Sequence, residues 1–115
     1  MTAPQLFGPY ALVSANIELA VTERQRAAIF GLGRIMANGK FQALFVGRTD
    51  EDLAAGLRRY IGEYGAFVYG YRASPHAAFV AECELYHLLD PEDNPTHPAP
   101  PEGARWTCPL CRAFE

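Results

Sequence analysis

No run of apolar residues in this chain approaches the roughly 20 that a membrane-spanning helix requires. Residues 1–9 carry no basic stretch followed by an apolar core, so no signal peptide is expected. Cysteine is scarce, with three in 115 residues, two of them in a tight pair. That count excludes a disulfide framework and points to a reducing compartment, the cytoplasm, with thiols free for metal. Positive charge is not in excess either. Ten Lys and Arg stand against thirteen Asp and Glu, for a net charge of -3. An obligate, non-specific nucleic-acid binder is usually basic, so strong sequence-independent DNA binding is disfavoured. Arg48, Arg58 and Arg59 are the candidates for a local basic strip, although Arg58 and Arg59, as helix-face charges, read first as solvated. The chain has no internal repeat, and no small-molecule cofactor or membrane partner is evident.

What is present suits one compact domain: half the residues are hydrophobic and 12% are aromatic. A domain of this length buries a limited share of its surface, so a metal staple would strengthen it noticeably. Tyr10 to Val21 alternates apolar and polar residues with the period of a half-buried strand. Ala27 to Met36 and Phe41 to Val46 are apolar arms around Asn38-Gly39, a hairpin signal compatible with a type I′ turn. Thr49 with Asp52 resembles a capping box, opening a helix whose face is Leu53, Leu57, Tyr60, Ile61 and Tyr64. Gly65 stops it, and Ala66 to Tyr71 reads as a core strand. Ser74-Pro75 caps a second helix running to about Leu89, with an apolar stripe of Ala78, Ala81, Leu85, Leu88 and Leu89. A proline-rich tail follows. The expected fold is α+β: a small, mainly antiparallel sheet of three to four strands flanked by helices, in one domain over residues 1–115. Within it, residues 1–26 are an N-terminal strand and connector, 27–95 the core and 96–115 the metal tail.

The tail carries Cys108-Pro-Leu-Cys111, the spacing that turns two thiolates to one side of a tight turn. Cys83 and His87 stand four apart on the second helix, hence on one face. The pattern C-x3-H-x20-C-x2-C supplies a complete set for tetrahedral Zn2+. His97, in the tail, is the alternative to His87. A filled set leaves no open coordination position, so the expected role is structural.

The order hairpin, helix, strand, helix resembles a GIY-YIG nuclease domain over residues 27–95. Ala28-Ile29-Phe30 stands at the first tripeptide, Phe45-Val46-Gly47 with Arg48 at the second, and Glu82 at the metal-binding glutamate. Asn94 lies near the place of a frequent asparagine. In that family, tyrosines and a helical arginine surround the scissile phosphate of DNA and the glutamate holds Mg2+. A hard carboxylate suits that ion, and a guanidinium stabilises developing negative charge. Here both tyrosine positions are phenylalanine, Phe30 and Phe45, and the arginine position falls at Gly56. The resemblance therefore implies a domain that binds DNA or a protein partner without cutting. Two alternatives stand beside it: an active Mg2+-dependent endonuclease centred on Glu82, with Tyr10, Tyr60, Tyr64 or Tyr86 supplying a hydroxyl, and a structural zinc subunit with no nucleic-acid role.

Overall fold

The computed structural model describes residues 5–23 and 25–114. The elements run β1 (Phe7–Ala11), α1 (Ser14–Ala20), β2 (Ala28–Ile35), β3 (Phe41–Thr49), α2 (Leu53–Arg58), β4 (Ala66–Tyr71) and α3 (Pro75–Leu89). The four strands form one antiparallel sheet in the order β1-β4-β2-β3. The α+β architecture expected from the sequence is present. No helix of the described residues is long and apolar enough to cross a membrane.

The unbroken apolar character of β2 follows from its central place, because both faces of the sheet are covered. On one face Phe30, Leu32, Phe67 and Tyr69 pack against Ile17 of α1 and Leu53 and Leu57 of α2. On the other, Ile29 and Val46 pack against Ala78, Ala81 and Leu85 of α3. Fully burying each Leu, Ile or Phe in these layers contributes roughly 1.5–3 kcal/mol relative to exposure.

Three local expectations are corrected. The segment expected as a strand over Tyr10–Val21 divides into the end of β1 and the helix α1. Strand pairing would require Val13, Ile17 and Leu19 on one buried face. Ile17 is fully buried, yet Val13 is 46% and Leu19 79% exposed. One buried side chain per turn satisfies the core, and Ala, Glu and Leu tolerate the helix well.

The first long helix is also shorter than its apolar spacing predicts. Asp52, not Thr49, caps α2 by accepting from the Ala55 amide at 3.0 Å, and Thr49 remains in β3. Past Arg59 the chain turns through Gly62, which has a φ of 91°. Tyr60 and Tyr64 then pack on Phe45 from this turn, while Ile61 is exposed. In the hairpin, Met36 O accepts from Gly39 N at 2.8 Å, and Gly39 takes a φ of 83° while Asn38 stays out of the positive-φ region. The connection is a three-residue loop with glycine in the left-handed position, in place of a two-residue type I′ turn.

The helix expected from Ser74-Pro75 forms as read: Ser74 accepts from the Ala77 amide at 3.0 Å and Pro75 opens the first turn. Its stripe ends early, since Leu88 and Leu89 are exposed.

After α3 the tail returns along the outer edge of β3. The β2–β3 register shifts after Leu32, leaving Leu44 as the extra residue of a bulge. Asp93 N donates to Leu44 O at 2.8 Å. Asn94 then bonds Val46 twice, accepting from its amide at 2.9 Å and donating to its carbonyl at 3.0 Å. A side-chain amide thus substitutes for a neighbouring strand and closes the edge. Replacing Asn94 with Ala removes both bonds and is expected to cost about 1–3 kcal/mol in urea unfolding. An unchanged midpoint would show that water serves this edge equally well.

Candidate functional site

Trp106 fastens the tail to α3. Its indole stacks on His76 with centroids 4.7 Å apart and tilts against Phe79 at 5.9 Å. From that anchor Cys108 and Cys111 turn back toward the C-terminal end of α3. There His87, His97, Cys108 and Cys111 converge, with one ligand atom from each lying within 4.8 Å of all the others. His87 Nε2 is 3.2 Å from His97 Nε2 and 3.4 Å from Cys108 Sγ, and Cys111 Sγ is 3.5 Å from His97 Nε2. This cluster can hold a metal ion, and its two imidazoles and two thiols are donors of the kind zinc takes.

The surrounding bonds prepare the donors. His97 Nδ1 lies 2.7 Å from Pro98 O, a contact that places the proton on Nδ1 and leaves the Nε2 lone pair facing the cluster. Backbone amides donate to both sulfurs, Leu110 to Cys108 at 3.4 Å and Ala113 to Cys111 at 3.5 Å. Burial works to raise the Cys108 thiol, but the backbone amide of Leu110, the His97 ring, and the backbone amide and side chain of Cys111 bring it down to about 6. At neutral pH it is therefore disposed to be a thiolate.

The cluster that converges differs from the set read from spacing. His97 takes the place given to Cys83, so His87 and His97 both belong to the cluster. The i, i+4 rule does put Cys83 and His87 one turn apart, but the two side chains end in different surroundings. Cys83 is fully buried in a small apolar nest with Phe79 and Cys108. Burial, and then the adjacent Cys108, push its thiol well above the ordinary range and hold it protonated. His87 sits near the exposed end of the helix, where the returning tail brings His97 beside it. A spacing rule counts residues along one helix and has no view of where a proline-rich segment folds back.

The positions carried by the GIY-YIG resemblance also meet. Phe30, Phe45, Gly47, Arg48, Tyr60 and Glu82 line one cavity of about 270 Å³. The rings of Phe30, Phe45 and Tyr60 form a triangle with centroid separations of 5.4–6.5 Å. Gly47 leaves room for it, because a Cβ there would approach Phe30 Cζ to 2.7 Å. Arg48 Nη1 donates to Glu82 Oε1 at 2.6 Å, and both side chains are nearly buried. The guanidinium also lies over the Phe79 ring at 5.3 Å. Burial raises the Glu82 carboxyl above its usual range, and the bond from Arg48 opposes that shift.

The remaining candidates scatter. Gly56, the arginine position of the resemblance, lines an adjoining cavity together with Arg59. Arg59 keeps helical dihedrals, φ -60° and ψ -24°, and so lies three residues on, on the same side as Gly56. Arg58 lines a different, more acidic cavity. Tyr64 donates to Asp93 Oδ2 at 2.8 Å, and burial followed by that carboxylate pushes its phenol up to about 12, so it stays protonated. Tyr86 packs on His97, and Tyr10 on Phe67, neither lining the Glu82 cavity. Asp50, an exposed carboxylate in both adjoining cavities, escaped the sequence reading. Its place two residues after Arg48 was the one signal available.

Compared with family models, curated proteins and solved structures, the chain matches none.

Proposed function

We propose that this chain is a zinc-braced, GIY-YIG-like module that binds a macromolecular partner without cutting it. The observation that carries the reading is the side-chain set at Glu82. A nuclease glutamate must offer carboxylate oxygens to a hydrated cation. Glu82 instead receives the Arg48 guanidinium at 2.6 Å and is 7% exposed. The groups beside it are the phenyl rings of Phe30 and Phe45, which neither give nor take a proton. Tyr60 keeps a phenol at this cavity, but its neighbours are those rings.

The spacing of the His and Cys donors supports zinc as the brace. A tetrahedral ion with ordinary Zn–N and Zn–S bonds separates two nitrogens by about 3.3 Å and a nitrogen from a sulfur by about 3.5 Å. The separations here are 3.2 Å for the nitrogens and 3.4 and 3.5 Å for two of the four nitrogen–sulfur pairs, with all four donors within 4.8 Å of one another. The four protein donors fill the tetrahedron, so the ion would tie the tail to α3 and take no part in chemistry. Elemental analysis of the purified chain is expected to return one zinc per molecule, and a content near zero contradicts the brace. Incubation with supercoiled or branched DNA and Mg2+ or Mn2+ is expected to leave the DNA intact. Metal-dependent nicking that disappears in Glu82→Ala would overturn the non-cutting reading.

A further inference from the structure

We propose that the aromatic cavity beside Arg48 and Glu82 is a docking site for a basic segment of a partner protein, one lysine or arginine side chain entering the cavity. The inference rests on the reading of this pocket as a binding site and names the class of its occupant. Phe30, Phe45 and Tyr60 line the cavity and pack against one another, and aromatic rings attract a desolvated cation. Arg48 does not repel such a guest strongly, because Glu82 holds its guanidinium.

The surroundings are acidic. The cavity continues into a second one of about 370 Å³ through shared walls at Phe30, Arg48, Asp50 and Tyr60. Together they present four carboxylates, Asp50, Glu51, Asp52 and Glu82, against the guanidiniums of Arg48 and Arg59. A third cavity of about 630 Å³ shares Glu51 and Asp52 and adds Glu18 and Glu23. Some of this charge is engaged locally, since Asp52 caps α2, Glu23 pairs with Arg26 and Asp50 lies 3.5 Å from Arg48 Nε. Glu51 and Asp50 remain exposed at the rim. A phosphate backbone would meet these carboxylates at every step, whereas a basic peptide is complementary to them.

One buried donor at the same place, Thr49 Oγ1, lacks a hydrogen-bond partner among the described residues, and Arg48 Nε has only the 3.5 Å ion pair with Asp50. Thr49 and Arg48 both line the second cavity. Backbone carbonyls of an incoming segment are acceptors suited to them.

The test is a fluorescence-anisotropy titration of the full zinc-loaded chain with a short labelled lysine–glycine peptide. An arginine–glycine peptide, a glutamate–glycine peptide and a single-stranded DNA oligonucleotide run in parallel. Saturable binding of the basic peptides alone is expected. Tyr60→Leu keeps apolar volume but removes the ring face, and is expected to weaken binding about tenfold. Asp50→Asn with Glu51→Gln, at exposed positions that should not disturb folding, is expected to weaken it by a similar factor. No saturable peptide binding, tighter binding of DNA, or an affinity that ignores Tyr60→Leu would each overturn the proposal. Zinc content and DNA integrity are read separately, so failure here is distinguishable from failure of the zinc-braced, non-cutting module itself.

Discussion

Removing the metal with a strong chelator is expected to lower the melting temperature by about 15 °C and to shift Trp106 fluorescence to longer wavelength. The reason is linkage: a ligand bound only by the native state, at a thousandfold excess over its dissociation constant, stabilises by about 4 kcal/mol. For a chain of this length each kcal/mol is worth about 4 °C. The sheet and α3 have their own apolar layers, so they should persist while the tail detaches. Trp106 reports that detachment because its ring is held between His76 and Phe79 only while the tail is docked.

Single substitutions decide the ligand set. His97→Ala and Cys111→Ser are expected to abolish stoichiometric metal. Cys83→Ala is expected to retain it and to show only the modest loss of a small cavity behind Cys108, about 1 kcal/mol. The reverse pattern, with metal lost from Cys83→Ala and kept in His97→Ala, would restore the set read from spacing.

Arg48→Met is expected to destabilise the protein by roughly 3–5 kcal/mol, because it strands Glu82 in a buried environment without its counter-charge. The side chains of the pair are 13% and 9% exposed, so water screens it little. Glu82→Leu should likewise be costly, leaving the buried Arg48 guanidinium only its looser 3.5 Å pairing with Asp50 beside Phe79. The double variant Arg48→Met with Glu82→Leu removes both charges together and is expected to lie within about 1 kcal/mol of the parent, or above it. Urea unfolding of the four chains closes a double-mutant cycle. A large coupling identifies the pair as a structural unit. Two small and additive losses would mean that Glu82 is free to take a cation, and would reopen the hydrolytic alternative.

How much of this was legible before folding can be argued from particular residues. Ser74-Pro75 marked the start of α3, and Asp90-Pro91 its end, because capping and proline geometry act within one turn. The apolar arms around Asn38-Gly39 marked the hairpin for the same reason, though the choice of turn depended on which residue took positive φ. Alternation over Tyr10–Val21 misled, since seven residues with one fully buried side chain fit a short helix as well as a strand. Leu53 to Tyr64 misled in the other direction. Its apolar spacing is helical, but Gly62 and packing on Phe45 favour a turn after Arg59.

The metal centre divides along the same line. Cys108-Pro-Leu-Cys111 pointed to half of a donor cluster that could hold a metal from sequence alone, because two thiols on one tight turn are a local property of the chain. Which side chains complete it was a tertiary decision. Cys83 and His97 compete for the same place. The outcome depends on Trp106 docking on His76, on Asn94 bonding the edge of β3, and on the tail returning past the end of α3. None of these contacts has a signature in residue spacing, since each joins segments whose approach is governed by burial and by edge hydrogen bonds. Sequence by itself determined that a His and Cys site would form on this chain. Only the packed tail decided that His97 faces its centre while Cys83 is buried behind Cys108.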